Sequence, residues 1–516
     1  MKMVENAAGR LVPDEINGKK AVPFKGVGKH RPAGRKYGPP VPTCIDYPDD
    51  NNKVVGSLKE ALEKCGLSDG MTISTHHHLR DGDLVSNKIF DIASSMGIRG
   101  LTWLPSASFP CNDPVIEYLE DGTIDHIEGS MNGPLGRFVS EGKMKGMAVL
   151  RSHGGRVQAI QDGEVKIDIA VLAAPAADSF GNARGTGGPS ATGVLGYAKA
   201  DYLYADKVIV VTDNLIDLPC FPMEIEGNYV DYVVVVDKIG IPEKIVSGTT
   251  QITKSPDRLL IAELTALFLE KSGLLRDGAT MQAGAGGTSL AIAVYAHEIL
   301  KRKGWKFRFG FGGSTKYMVQ MLEEGQMGYI LDAQAFDLDS VRSIEVNANH
   351  IPYPVFNAYN YHSKGNLTAM MDIMILGATE IDVSFNGNVV THSDGLLLHG
   401  IGGWQNCLHA RNVIIPVPLF RDRIPVIVDR VTTLCGPGEL IDVIITERGI
   451  AINPARQDLI DSVRGKGLPL VTIEELKEMA EKMCGKPEKA AVDDRVVAAI
   501  KWVDGTVIDS VRKVKF

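Results

Sequence analysis

Two stretches of this chain decide its fold. The first is Asp168-Ile-Ala-Val-Leu-Ala-Ala-Pro-Ala-Ala-Asp178-Ser-Phe-Gly181-Asn182. The second is Met370-Met-Asp-Ile-Met-Ile-Leu-Gly-Ala378-Thr-Glu-Ile-Asp382-Val-Ser-Phe-Asn-Gly387-Asn388. Each is a short apolar run closed by a polar turn, the pattern of a buried strand. Neighbouring landmarks repeat in the same order. Leu58, Ala61, Leu62 and Cys65 mark one helix face, Gly66 to Gly70 ends it, and Met71 to Ser74 reads as a strand. Ile261 to Lys271, Ser272 to Gly278 and Ala279 to Gln282 repeat that order. Helix Leu84 to Met96 with strand Leu101 to Leu104 is answered by helix Leu290 to Arg302 with strand Phe307 to Phe311. Val230 to Val236 is answered by Ile441 to Ile445. The copies are offset by roughly 210 residues, and an ordered repeat at one offset signals duplication. Strand–helix alternation predicts an α/β fold with mainly parallel sheets.

The expected organisation is an extended N-terminal arm over 1–56, two related α/β units over 57–255 and 256–470, and a tail over 471–516. In the tail, Ile473 to Met483 reads as a helix. Arg495 to Val514 reads as a hairpin in which Asp504-Gly505 suits a type I′ turn.

A chain of 516 residues, 44% apolar and 23% charged, buries a large core and is not disordered. The formal charge of −8 argues against a general nucleic-acid binder. Seven cysteines without a C-x-x-C pair predict reduced thiols in a cytoplasmic chain rather than a disulfide frame or structural zinc site. The N-terminus has no apolar targeting core, and no apolar run of about 18 residues predicts a membrane span. Lys19, Lys20, Lys25, Lys29, Arg31, Arg35 and Lys36 lie among glycines and prolines, including Pro42. That mixture predicts an extended arm over the protein's own surface or a partner subunit, with grip on an acidic partner as a further expectation. Fifty-five glycines are an excess that no low-complexity tract explains.

Many of those glycines fall at strand ends. Gln282-Ala-Gly284-Ala-Gly286-Gly287-Thr-Ser289 lies between a strand and a helix, where bare backbone N–H groups can approach an anion or oxyanion. It is not a dinucleotide fingerprint, because the spacing differs and Lys306 and Arg308 stand where an acidic ribose ligand is expected. Gly310 to Thr315, with Gly312 and Gly313, and Gly400 to Asn406, with Gly402 and Gly403, are further loops of this kind. Each alone is compatible with a tight turn, whereas together they suggest one cleft. In the first unit the equivalent loop is Thr75-His76-His77-His78-Leu-Arg80-Asp-Gly-Asp83. Consecutive residues on extended chain face opposite ways, so anion recognition by His77 and Arg80 is favoured over metal binding. His153 and Arg156 of Ser152-His-Gly-Gly-Arg156 suit carboxylate binding, with a plain polar turn as the alternative. His297-Glu298 begins a zinc-protease motif that Lys301 breaks. No metal site is expected.

Together these motifs resemble the citrate lyase α-subunit family from about Leu58 onward. Asp178-x-Phe-Gly-Asn182, Ser393-Asp-Gly395 and Gly449-Ile-Ala-Ile-Asn453-Pro-Ala-Arg456 add to the likeness. More remotely the chain is similar to class I CoA-transferases, whose halves are also related α/β domains. The resemblance implies transfer of acetyl thioester on an acyl carrier protein to citrate, giving citryl thioester and acetate through a mixed anhydride. It implies no cofactor on this chain, a CoA-like prosthetic group delivered by the carrier (γ) subunit or acetyl-CoA in its place, a β lyase subunit as partner, and a homo-oligomer. His77, Arg80, His153 and Arg156 are then expected to bind citrate. Gly286, Gly287 and Gly313 would form the catalytic cleft, and Gly284, Gly402, Gly403 and Asn406 would contact the CoA-like group. Gly313 stands where the wider superfamily carries a glutamate nucleophile, Glu323 and Glu324 read as an exposed helix end, and Asn406 replaces a usual Asp. A citramalate lyase α subunit, a covalent CoA-transferase or thioester hydrolase, and a non-catalytic assembly subunit remain alternatives.

Overall fold

A computed structural model describes residues 1–41, 52–246, 251–284 and 286–515. Pro42 and Cys44 of the arm, and Ala285 of the glycine loop, lie outside the described residues. The first large sheet has seven strands in the order Val54–Val55, Tyr232–Val235, Lys207–Thr212, Ile169–Ala173, Thr72–Thr75, Leu101–Pro105 and Ile124–Ile127. All its pairings are parallel. The second has eight strands: His350–Pro352, Ile330–Ala335, Phe309–Ser314, Thr280–Ala283, Ile373–Ile375, Val413–Pro416, Val443–Thr446 and Gly449–Ile452. Only the last joins antiparallel. Edge strands aside, the two sheets have the same strand order, running from Ile124–Ile127 to Tyr232–Val235 and from Ile330–Ala335 to Val443–Thr446. Parallel strands buried on both faces need apolar runs, which is why Ile169–Ala173 and Ile373–Ile375 are buried throughout.

The repeat extends to individual hydrogen bonds. Asp168 accepts from Thr72 N at 2.8 Å, and Asp372 accepts from Thr280 N at 3.0 Å. Asp231 accepts from Val208 N at 2.8 Å, and Asp442 from Val413 N at 2.7 Å. Asp178 closes its turn by accepting from Phe180, Gly181 and Asn182 N, while Asp382 accepts from Ser384 and Asn386 N. Asn182 and Asn386 then each accept a backbone N–H at 2.9 Å, from Gly227 and Gly438. These Asp and Asn side chains satisfy backbone donors that burial would otherwise leave unpaired.

Helix Pro256–Ser272 buries Ile261, Thr265, Phe268 and Leu269 against helix Gly287–Lys303, and Gly273 ends it with φ of 81°. Burying one such large apolar side chain contributes about 1.5–3 kcal/mol. The largest apolar cluster includes Leu195 and Ala198 from the first half and Phe311 and Tyr359 from the second. Val355 N donates to Gly196 O at 2.9 Å across the seam.

The tail is helix Ile473–Cys484 followed by strands Val492–Lys501 and Val507–Val514. Its hairpin adds in parallel to Ala148–Leu150 of the first half. The turn is not type I′, since Gly505 has φ of 87° and Asp504 does not adopt a positive φ. Gly505 N donates to Trp502 O and Trp502 N to Thr506 O, a longer loop that needs only one left-handed residue. The arm is also more structured than its composition suggests. Met3–Glu5 pairs with Leu11–Pro13, Glu15–Ile16 pairs with Lys19–Lys20, and Asn6 donates to the carbonyls of Val507 and Ile508.

No helix among the described residues is long and apolar enough to cross a membrane.

Candidate functional site at the seam

The site begins where strand Thr72–Thr75 ends. The alternation expected of extended chain separates the three histidines. His76 Nε2 lies 3.1 Å from Asp201, and His78 Nε2 lies 2.6 Å from Ala173 O, both inside the first half. His77 turns to the seam. Its Nδ1 lies 2.7 Å from Ser106 Oγ and its Nε2 lies 3.2 Å from Gln334 Oε1, a residue of the second half. Gln334 Oε1 can only accept, so the ring proton sits on Nε2, and the Ser106 hydroxyl, which accepts from His77 N, donates to Nδ1. Gln334 returns a bond from Nε2 to His77 O at 3.1 Å, and Tyr197 OH donates to Gln334 Oε1 at 3.2 Å. Both His77 nitrogens are therefore engaged by protein. It positions the seam and has no free nitrogen for a ligand.

Arg80 differs. It holds φ of 51° and is only 8% exposed. Its guanidinium lies over two rings, 5.1 Å from Phe109 of the first half and 4.6 Å from Phe336 of the second. Its Nε is buried without a partner, and the side chain has no hydrogen bond or ion pair among the described residues. Burial lowers its pKa to about 10, so it remains a cation at neutral pH. An unpaired buried cation is costly, and an anion is the ligand that relieves the cost.

His153 opens helix His153–Gln161, whose start is bonded from several sides. Ser152 Oγ accepts from Gly155 N at 3.0 Å, Asn406 Oδ1 from Gly154 N at 3.0 Å, and Gly402 O from His153 N at 2.8 Å. The His153 and His77 rings are 5.6 Å apart, and Tyr197 OH is 3.4 Å from His153 Nε2. Burial, with the Arg156 charge adding to it, lowers His153 to about 3. Burial, then His153 and Arg80, hold His77 well below the usual imidazole range. Burial raises the Tyr197 hydroxyl. These groups are neutral hydrogen-bonding partners near pH 7.

Arg156 corrects the sequence reading. Its guanidinium forks onto Asp201 with both bonds at 2.7 Å, and it donates to Ser74 Oγ at 2.6 Å. Burial pulls Asp201 upward, yet Arg156 and His76 hold it well below the usual carboxylate range. Arg156 is thus half of a buried ion pair beneath the site and does not face the cleft. Asn406 is likewise occupied, because its carbonyl oxygen caps the His153 helix.

In the second half, helix Gly287–Lys303 starts at Gly286 with no side-chain cap and no acidic residue in its first turn. A Cβ on Gly286 would meet open space, and one on Gly284 would come no nearer than 3.5 Å to Ser289 Oγ. Gly287 is instead packed, with Gln251 O 2.7 Å from the Cβ position. The bare N-terminus attracts negative charge. Gly313 ends the adjacent strand at a bulge between Gly312 and Gly313. Gly402 backs onto His153, and Gly403 packs on the Tyr359 ring. Glu323 and Glu324 pair with Arg342 and Lys301 at an outer helix end. Among the described residues, no group of three His, Cys, Asp or Glu could hold a metal ion.

Ser106, Phe109, Tyr197, Gln334 and Phe336 belong to no motif, and sequence reasoning missed them. The only hint for Gln334 and Phe336 is their place at and just past the C-terminal end of strand Ile330–Ala335, where ligand-facing residues collect.

The family model described as "Citrate lyase, alpha subunit (CitF)" matches residues 51–514. The citrate lyase alpha chain of Klebsiella pneumoniae is 42% identical over 465 residues, covering 90% of this chain and 92% of that one. That of Escherichia coli is 39% identical over 467 residues, with the same two shares. Among solved structures, an alpha subunit of citrate lyase from Streptococcus mutans, in complex with citrate, is 40% identical with a TM-score of 0.92. It covers 99% of this chain and 100% of that chain. A Pseudomonas malonate decarboxylase hetero-tetramer, at 16% identity and a TM-score of 0.62, covers 83% of this chain and 87% of that one and shares the fold.

Proposed function

The chain belongs to the family of citrate lyase α subunits, and from that membership we propose how its seam exchanges acetate for citrate on a carrier-borne thioester. The observation that carries the reading is Arg80, a buried guanidinium beside two rings whose Nε has no hydrogen-bond partner. A citrate carboxylate completes it. Tyr197 interacts with Arg80, and His153 lies 3.4 Å from the Tyr197 hydroxyl; both are neutral hydrogen-bonding groups that suit the hydroxyl and remaining carboxylates of the same ligand.

A carboxylate is ionised near pH 7, so its attack needs no protein base. One citrate carboxylate oxygen bonds to the acetyl carbonyl carbon of the thioester. The tetrahedral oxyanion faces the N–H groups at the start of helix Gly287–Lys303, which carries no side-chain cap. Its collapse breaks the carbon–sulfur bond and leaves an acetyl–citryl anhydride with a thiolate. The thiolate then attacks the citryl carbonyl, the citryl carbon–oxygen bond breaks, and acetate departs with one oxygen from citrate. Holding both substrates together supplies much of the rate.

The chain needs no resident cofactor for this step. The CoA-like group arrives on an acyl carrier subunit, with acetyl-CoA as a substitute, and citryl cleavage belongs to a separate lyase subunit. Work within such a complex, as a homo-oligomer in the cytoplasm, completes the proposal.

Purified chain incubated with acetyl-CoA and either citrate or citramalate tests it. Citryl thioester and acetate should form in equal amounts, faster with citrate. Exchange with citramalate alone would reassign the substrate, and exchange with neither would remove the transferase reading.

A further inference from the structure

We infer that Gly313 and Phe336 form one positioning device for Arg80, in which the missing side chain at 313 lets the Phe336 ring lie on the guanidinium. Gly313 belongs to strand Phe309–Ser314 and pairs with Gln334 at the bulge. Phe336 follows two residues after Gln334, and its N donates to Ser314 O at 3.0 Å, which fixes its backbone against the same strand end. A Cβ on Gly313 would fall inside the Phe336 ring. That ring is 4.6 Å from the Arg80 guanidinium, with Phe109 at 5.1 Å. Guanidinium planes are stabilised on aromatic faces, and no hydrogen bond or ion pair holds this one among the described residues. Any side chain at 313 must displace the ring and release Arg80. Gly313 therefore acts on the carboxylate through Phe336, and not as a lining of the thioester cleft. The same packing leaves no room at 313 for a carboxylate side chain.

This inference rests on Arg80 as the citrate ligand, so its test carries a separate check of that reading. KM for citrate and for acetyl-CoA, and thermal stability, are measured for Phe336→Leu, Phe336→Tyr, Phe336→Ala, Gly313→Ala, Gly313→Ala/Phe336→Ala and Arg80→Ala. Phe336→Leu should raise the citrate KM roughly threefold to thirtyfold, the range of a desolvated cation–ring contact. Phe336→Tyr should restore it, since the ring face is kept. Gly313→Ala should match Phe336→Leu in the native background and add nothing in the Phe336→Ala background. KM for acetyl-CoA should stay within about twofold if the contact serves the carboxylate alone.

A Gly313→Ala effect on acetyl-CoA KM with citrate KM unchanged would overturn the inference. So would equal effects of Leu and Tyr at 336, or additive effects at the two positions. If Arg80→Ala leaves the citrate KM unchanged, the carboxylate reading itself fails. If Arg80→Ala raises it while Gly313→Ala and Phe336→Leu do not, only the Gly313–Phe336 coupling fails.

Discussion

The two halves share a strand order and matching Asp and Asn hydrogen bonds, yet the same strand end in each carries opposite chemistry. After Thr72–Thr75 comes a loop of long polar side chains, with His77 bonded at both ring nitrogens and Arg80 Nε buried without a partner. After Thr280–Ala283 comes a loop with almost no side chains, opening a bare helix start. One half offers a cation, the other backbone donors. An exchange between a carboxylate and a thioester needs both kinds of group, and the proposed function uses one from each half. Bonds that repeat, such as Asn182 to Gly227 and Asn386 to Gly438, build the scaffold, and residues that do not repeat build the site.

That division sorts substitutions by their readout. The largest effect should come from Arg156→Ala, which strands Asp201 in the core of the first half. Breaking a buried ion pair costs about 3–5 kcal/mol, so thermal unfolding should show a large loss of stability. An intact fold with only a raised citrate KM would return Arg156 to the cleft. Arg80→Ala should do the reverse, lowering kcat/KM for citrate on the order of a hundredfold while stability holds, as expected when one partner of a buried charge contact is lost.

Smaller effects test the duplication itself. Asn182→Ala and Asn386→Ala should each cost about 1–3 kcal/mol, because each leaves a buried backbone donor unpaired. Similar losses in denaturant titrations would support equivalent scaffold roles, and a loss confined to one half would break the equivalence. The smallest effect concerns pH. His77 and His153 are depressed, the latter to about 3, so neither carries charge between pH 6 and 8. Corrected for the ionisation of citrate, its KM should be flat over that range, whereas a histidinium ligand would make it rise with pH. The sign for stability follows from the same shift. A histidine with folded pKa below its unfolded value of 6.5 takes up protons preferentially in the unfolded chain. Stability from this source is therefore full above about pH 7 and falls as pH drops toward 3, which pH-dependent melting would detect.

Much of the scaffold was legible because it repeats. Asp178, Asp231, Asp382 and Asp442 are turn and strand caps that the internal likeness picks out without coordinates. Arg80 was legible as a cation in a loop at a strand end. Arg156 was misread because its partner, Asp201, lies on a separate helix, and nothing local marks the pair. Gln334, Tyr197 and Phe336 gave no signal because each gains its role only when the halves meet. The hairpin turn was misassigned because Asp-Gly fits several loop lengths and only the pairing of Trp502 with Thr506 decides among them.

The proposed exchange is direct attack by a citrate carboxylate on the acetyl thioester, with no acyl group passing through the protein. A single turnover with enzyme in excess, acetyl thioester and carboxylate-¹⁸O citrate tests it most directly by mass analysis of the released acetate. Acetate carrying one citrate oxygen in that first turnover is the predicted result. Unlabelled acetate would mean that the oxygen came from a protein carboxylate or from water, and would contradict direct attack by citrate.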